Sequence, residues 1–213
     1  MKPDKVELPL ERVLFFSDAI VAIAITLLAL ELRLPIPAHQ PLHYIDLLRP
    51  WHLYLAFLLS FINIASFWNL HYQLFIYINT MDDRLKLINM SWLFFIVTLP
   101  FSSSVLSDHL GDAAAVTLYT VNVLLIAGCQ RLLWFYAIRQ GYVEAAMLDE
   151  ENRRRITIFL NLDLLNGMVA LLISFVAPVT AFVLLFFKIP LMLAAFVYLA
   201  MVRRKMTAKS GTG

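Results

Sequence analysis

Six apolar runs, bounded by charges, prolines or turn residues, take up almost the whole chain, near residues 12 to 34, 51 to 79, 86 to 106, 113 to 139, 156 to 177 and 180 to 202. A bilayer core is crossed by about 20 apolar residues in a helix, and each run reaches that length. The sequence therefore predicts an all-α integral membrane protein: a single domain over residues 1 to 213 with six transmembrane helices and no separate soluble part. Composition agrees. The chain is 61% hydrophobic and only 15% charged, with a mean hydropathy of +0.77, which excludes an ordinary soluble domain. The second and fourth runs are long enough to tilt or to project beyond the bilayer. Pro100, Pro178 and Pro190 are expected to mark kinks or helix ends.

Charge placement orients the spans. Thirteen of the 17 Lys and Arg residues fall on one side, among them Arg84, Lys86 and the Arg153–Arg155 run, against Arg33 and Arg49 on the other. Basic residues concentrate on the cytoplasmic side, so both termini are expected there. The N-terminal residues show no short apolar region followed by a small-residue cleavage site, so the first span is expected to act as its own insertion signal. The polar connection Gln140–Arg155 reads as a helical extension on the cytoplasmic side, a basic anchor at the lipid surface. The single Cys129 provides neither a disulfide framework nor a thiolate metal site.

Ionisable residues at the mouth of the first span are the main functional signal. Arg12 to Asp18 read RVLFFSD and lead directly into AIVAIAITLLALELRLP. Charges at membrane depth are expensive unless paired or solvated, which makes them functional candidates. At about 100° per residue, Ile23, Leu27, Leu30 and Leu34 lie within about 40° of one line, Thr26 lies on its flank, and Asp18 lies about 140° away. Taken alone, the aliphatic stripe is ordinary lipid contact or packing.

The R-x-x-x-F-S-D pattern formed by Arg12, Phe16, Ser17 and Asp18 resembles the start of the first helix in the TMEM175 family of potassium channels. That resemblance implies a homotetramer in which four first helices line a central pore. It places the constriction at Ile23, Leu27 and Leu30, with Thr26 supplying a hydroxyl layer, and it uses the F-S-D residues with Trp, His and Asn of the following helices as a packing network. Eukaryotic members carry two six-helix units per chain, so this chain implies a prokaryotic tetramer in the cytoplasmic membrane. A narrow apolar ring gates by dewetting and strips water from an ion. The usual TVGYG loop is absent, so any potassium preference would arise differently. Glu31 either adds negative potential at the outer mouth, pairs with Arg33 or faces the headgroups.

Asp18 needs partners, and depth selects them. At 1.5 Å per residue His71 lies about 12 Å from the inner end of the second span and Asp18 about 9 Å from Arg12. Asn89 and Trp92 lie near the same level of the third span. The sequence predicts a cluster joining Asp18 and Ser17 to His71 and Asn89, with Trp68 as a further member, and Ser60 and Asn63 also available on the second span. His71 reads as a satisfied buried imidazole rather than a proton sensor. Arg12, about 20° from the Ile23 line, is assigned to the cytoplasmic pore entrance or a subunit contact. A second depth match predicts an intramembrane ion pair between Arg131 and Asp163, leaving Lys188 without a partner and free to snorkel.

The leading expectation is a potassium-preferring cation channel, with permeating potassium, the lipid bilayer and further copies of the chain as partners, and with no cofactor, resident metal or nucleic acid. The alternative is a proton- or ion-coupled secondary transporter using Asp18, His71 and Asp163, although no Gly- or Pro-broken helix pair marks a midplane site. An enzyme is not expected. None of the five histidines forms an H-E-x-x-H pair, and Pro41 separates His39 from His43.

Overall fold

The computed structural model describes residues 10–34, 41–144 and 148–188. Its helices are α1 (Leu10–Leu30), α2 (Tyr44–Leu48), α3 (Trp51–Phe75), α4 (Asp83–Asp108), α5 (Ala113–Gln140), α6 (Glu150–Ser174) and α7 (Pro178–Lys188). Among the described residues α1, α3, α4, α5 and α6 are long and apolar enough to cross a membrane. They occupy the first five predicted runs. The sixth run begins as α7; Pro190 and the run beyond Lys188 lie outside the described residues, as do the N-terminal lysines, the C-terminal basic cluster and His39.

Each helix ends for a local reason. α1 stops at Leu30 rather than at 34. Glu31 and Leu32 bond three residues back, to Leu28 and Ala29, and the Arg33 Nε donates to the Leu30 carbonyl at 3.0 Å. Leu34 precedes Pro35, which disfavours helix at that position. The aliphatic line therefore ends at Leu30. α2, not expected from hydropathy, is one turn whose His43 N–H is taken by Asp46. Pro100 does not end α4, which continues to Asp108; the missing N–H releases only the Ile96 carbonyl. Pro178 opens α7, where a proline's lack of N–H costs nothing.

The connection after α5 differs from the helical extension expected of it. Gly141 adopts the left-handed conformation (φ 71°), and the N–H groups of Gly141 and Tyr142 close the last turn on Ile138 and Ala137. The chain then runs extended over Tyr142–Glu144 and pairs with Tyr77–Asn79, with Asn79 N–H to the Tyr142 carbonyl at 3.0 Å and Glu144 N–H to the Tyr77 carbonyl at 2.9 Å. This pairing ends α3 at Phe75. Helix resumes at Glu150, capped by Asp149, whose carboxylate accepts from Asn152 N–H.

α4 lies at the centre, packed against α1, α3 and most extensively α5, while α6 packs on α5 and touches α3. The buried side chains form two apolar clusters. One holds Ala24, Leu28, Phe67, Trp92, Tyr119, Ala170 and Phe182. The other lies toward the α3–α4 turn and holds Leu74, Leu85, Trp134, Ala137 and Leu160. Buried polar residues sit between them along the chain: Ser17, His71, Asn89, Gln130 and Asp163.

Asp82 ties the α3–α4 turn to α5. Its carboxylate caps α4 by accepting Leu85 N–H at 2.8 Å and accepts the Tyr136 hydroxyl at 2.7 Å. Partial burial pushes this carboxyl up, but the hydrogen bonds from Tyr136 and Leu85 outweigh it and hold the group below the ordinary aspartate value of 3.8. A depressed folded-state pKa stabilises above the unfolded value, and that contribution is lost as pH falls through the folded one. Asp82→Ala is expected to cost about 1–2 kcal/mol at neutral pH, the range for a lost N-cap. The loss should shrink toward zero at pH below the carboxyl's folded value, as read by thermal unfolding of wild type and variant across pH.

Candidate functional site

α1 meets the bundle along one stripe. Val13, Ser17, Val21, Ala24 and Leu28 are its buried residues, spaced four, four, three and four apart, which keeps them on one helical face against α3 and α4. The small side chains of Ser17 and Ala24 let α1 lie close to its neighbours.

A hydrogen-bond chain runs from this stripe into the bundle. Asn89, fully buried on α4, donates from Nδ2 to Ser17 Oγ at 2.9 Å and accepts at Oδ1 from His71 Nε2 at 2.8 Å. Ser17 passes its own proton to the Val13 carbonyl at 2.8 Å. The direction of the chain is thereby fixed, because a carbonyl oxygen only accepts and His71 must carry its proton on Nε2. The imidazole is clamped by Trp92, stacked at 4.2 Å and 13°, and by Phe75 at 4.6 Å. Asp18 lies on the flank of the stripe and accepts the Trp68 indole N–H at 2.9 Å. Ser17, Asp18, Trp68, His71 and Asn89 thus meet at the junction of α1, α3 and α4. Phe16 does not join them: it is half exposed and on the opposite flank of α1.

That opposite flank is bare in the single chain. Ile23 is 59% exposed, Leu30 57% and Leu27 38%, with Thr26 and Arg12 also exposed. The Thr26 hydroxyl donates to the Ile23 carbonyl at 2.8 Å. Its proton is therefore committed to the helix and its oxygen lone pairs point away from it. Glu31 accepts a 2.7 Å hydrogen bond from Ser104 on α4, which settles its place: it neither pairs with Arg33 nor stands free.

The expected Arg131–Asp163 pair does not form. Arg131 is bonded through Nε to Asn161 at 3.0 Å and its guanidinium lies 6.0 Å from the Phe135 ring, at the helix surface. Asp163 instead faces Lys188 of α7 at 3.0 Å, both side chains nearly sealed from solvent, and the Lys188 ammonium sits 3.8 Å from the centre of the Phe67 ring. The expected runs put Asp163 fourteen residues from the connection between the last two spans but Lys188 only eight, so depth alone did not pair them. In the structure α6 ends at Ser174 and α7 begins at Pro178, which leaves Asp163 eleven residues and Lys188 ten from that connection, at one level. Arg131 lies at the surface of α5, whereas Lys188 is buried and does not snorkel. Among the described residues neither ion has another hydrogen-bond partner. The sequence did not reveal a further polar cluster: Ser60 Oγ lies 2.7 Å from Ser103 Oγ and 3.1 Å from the Tyr119 hydroxyl, its single proton serving one of the two, and Asn63 Nδ2 donates to the Tyr119 hydroxyl at 3.1 Å. Ser60 and Asn63, one turn apart, were its signal. Among the described residues no group of three or more His, Cys, Asp or Glu could hold a metal.

A multi-pass helical membrane protein with its first helix pinned by a polar chain and bare along an aliphatic line is the class these features define. Residues 12–100, covering nearly all of α1, all of α3 and most of α4, match the family model described as endosomal/lysosomal potassium channel TMEM175. A potassium channel of Chamaesiphon minutus is 31% identical over 153 residues, 68% of this chain and 74% of that protein. A potassium channel of Streptomyces collinus is 29% identical over 174 residues, 79% of this chain and 84% of that one. The crystal structure of a lysosomal potassium-selective channel TMEM175 homolog from Chamaesiphon minutus superposes with a TM-score of 0.67 at 26% identity, covering 90% of this chain and 96% of that chain. The chain belongs to the TMEM175 family.

Removing one partner of a buried ion pair strands the other charge, at about 3–5 kcal/mol, whereas replacing both by apolar residues is about neutral. Lys188→Met and Asp163→Leu are each expected to lower thermal stability strongly, and the double variant to recover most of the loss. Additive losses in that double-mutant cycle would show that the two side chains do not depend on each other.

Proposed function

We propose that the chain forms a potassium-preferring cation channel that conducts passively through a homotetramer, with four copies of α1 around the symmetry axis. The observation that carries this reading is the bare line of Ile23, Leu27 and Leu30 with Thr26 beside it, on the least buried of the five long helices. A lipid-facing helix needs no such arrangement of one hydroxyl among large aliphatic side chains. Around an axis the same residues make stacked rings narrow enough to shed an ion's water, and the Thr26 oxygen, its proton already used, is left to contact a dehydrated cation. The family membership and the potassium-channel relatives support the same assignment.

In this reading the protein is a single six-helix unit with both termini cytoplasmic, α7 completing the sixth span, in the cytoplasmic membrane of a prokaryote. It catalyses no reaction. Arg12 and Phe16, on the flank shared with Ile23, face the cytoplasmic entrance or a neighbouring subunit. Asp18, His71 and Asn89 act as positioning residues that hold α1 in the rotation the pore requires. A coupled carrier would need titrating groups free to change partners. Asp163 is instead held against Lys188, and His71 against Asn89.

Ion flux from liposomes holding the purified protein under opposed potassium and sodium gradients tests the proposal. Wild type is expected to pass potassium faster than sodium, without any proton gradient. Ile23→Ala should raise total flux and lower the preference, since a smaller ring dehydrates the ion less. Thr26→Ala should lower the preference with little change in total flux. Unchanged selectivity and conductance in both variants would remove α1 from the pore, and flux that stops without a proton or solute gradient would make the protein a carrier.

A further inference from the structure

A cavity of about 360 Å³ opens between the first two turns of α1 and the last turn of α3. Its walls are Leu14, Phe15, His71, Tyr72, Phe75 and Ile76, and it holds two carboxylates, Glu11 and Asp18. On α1 these two lie seven residues apart, about 20° from the same line and about 10 Å apart along the axis. One acid therefore stands near each end of an apolar and aromatic wall. Neither has a basic partner among the described residues. Asp18 spends one oxygen on the Trp68 indole, leaving the other without a hydrogen-bond donor among the described residues, and Glu11 is exposed. Trp68 in turn stacks on Tyr72, at 6.1 Å and 28°, so the wall beside Asp18 is an aromatic face.

We propose that this cavity binds an alkyl diammonium ion, one ammonium at Asp18, the other at Glu11, and the methylene chain along Leu14, Phe15 and Phe75. Each part of the ligand answers a feature of the cavity. Two separated carboxylates favour two separated positive charges over one. The apolar wall between them disfavours hydrated metal ions, which would have to give up water for no oxygen ligands, but it suits methylenes. The aromatic faces of Tyr72 and Phe15 attract an ammonium group. The volume is within the range of small-molecule sites and far above what one potassium ion fills. The site is separate from the proposed pore: Asp18 and Glu11 lie about 120–140° around α1 from Ile23. Occupancy would load the same carboxylate that receives Trp68, and so would act on the fastening of α1 without entering the ion path. Binding itself needs no pore, so the proposal stands or falls independently of conduction.

Isothermal titration of the purified full-length protein with 1,5-diaminopentane, at low and moderate salt, tests it, with pentylamine and pentanol as single-charge and uncharged controls. Saturable binding of the diamine is expected, at least about fivefold tighter than pentylamine, weakening with salt, with no saturable binding of pentanol. Glu11→Gln, at an exposed position with no side-chain hydrogen bond among the described residues, should reduce the diamine to the affinity of pentylamine. Ile76→Trp, which fills the cavity, should abolish both. Asp18→Asn should weaken both amines, and is read only if its melting temperature shows that the junction survives; Glu11→Gln and Ile76→Trp decide the matter otherwise. Equal affinities for diamine and monoamine, or diamine binding unchanged in Glu11→Gln and Ile76→Trp, would overturn the proposal. So would the absence of saturable diamine binding to the wild type.

Discussion

The structure depends on a rule that holds with special force in a bilayer: a polar side chain taken into hydrocarbon must find its partner within the protein. Asn89 is where that rule does most here. Its amide has one donor face and one acceptor face engaged, the first on Ser17 of α1 and the second on His71 of α3, so a single α4 residue fixes the relative rotation of three helices. Apolar contacts cannot do this in lipid, because a Leu exchanged for a lipid tail gains little. With Ser17 committed to Asn89, the buried stripe of α1 has no freedom to roll. The side chains at Ile23, Thr26, Leu27 and Leu30 are then left bare as a consequence, not by their own chemistry.

The same rule explains the second polar junction, with a different outcome. Asp163 and Lys188 lie 3.0 Å apart, and the Lys188 Nζ sits over the Phe67 ring, where an ammonium gains the ring's negative face. Neither ion has the additional hydrogen bonds that a buried pair needs to repay its desolvation, at least among the described residues. The pair is therefore better understood as specifying where α7 docks against α6 and α3 than as a large net source of stability. An α7 inserted with any other rotation would leave a bare ammonium in hydrocarbon.

Hydropathy revealed the long helices because a bilayer sets their length, and residue depth brought Asp18, Ser17, His71 and Asn89 to one level because helical rise is constant. Rotation was the part that depth could not supply. Arg131 matched Asp163 in depth but is turned to the surface of α5, and with nearly uniform apolar composition around α5 and α6 the sequence carries almost no rotational signal there. Lys188 was set at another depth because the run near 156 to 177 continues past Ser174, where α6 ends. Phe16 was misplaced for a related reason: Ser17 beside it is buried, but at about 100° per residue the position before Ser17 is turned away from the stripe. Short local bonds were equally hidden. Arg33 closing on Leu30 and the pairing of Tyr77–Asn79 with Tyr142–Glu144 trimmed two predicted spans, and neither leaves a trace in hydropathy.

α1 is fastened at two levels rather than one. Ser17 and Asp18 hold it near its start, and Glu31, bonded to Ser104 of α4, holds the residue just beyond its end. These points are about 20 Å apart along the axis. Between them Val21, Ala24 and Leu28 pack against the bundle, and Ile23, Thr26 and Leu27 lie on the reverse side. A helix clamped at both ends and along one face resists rolling and bending in the middle. Under the proposed assembly, the aliphatic rings are therefore set by how four rigid helices are spaced around the axis. Gating by rotation of α1 alone would have to break Asn89–Ser17 and Ser104–Glu31 together. A change of spacing that carries α1, α3 and α4 as one body would leave both bonds intact, and is the cheaper route to a wider pore.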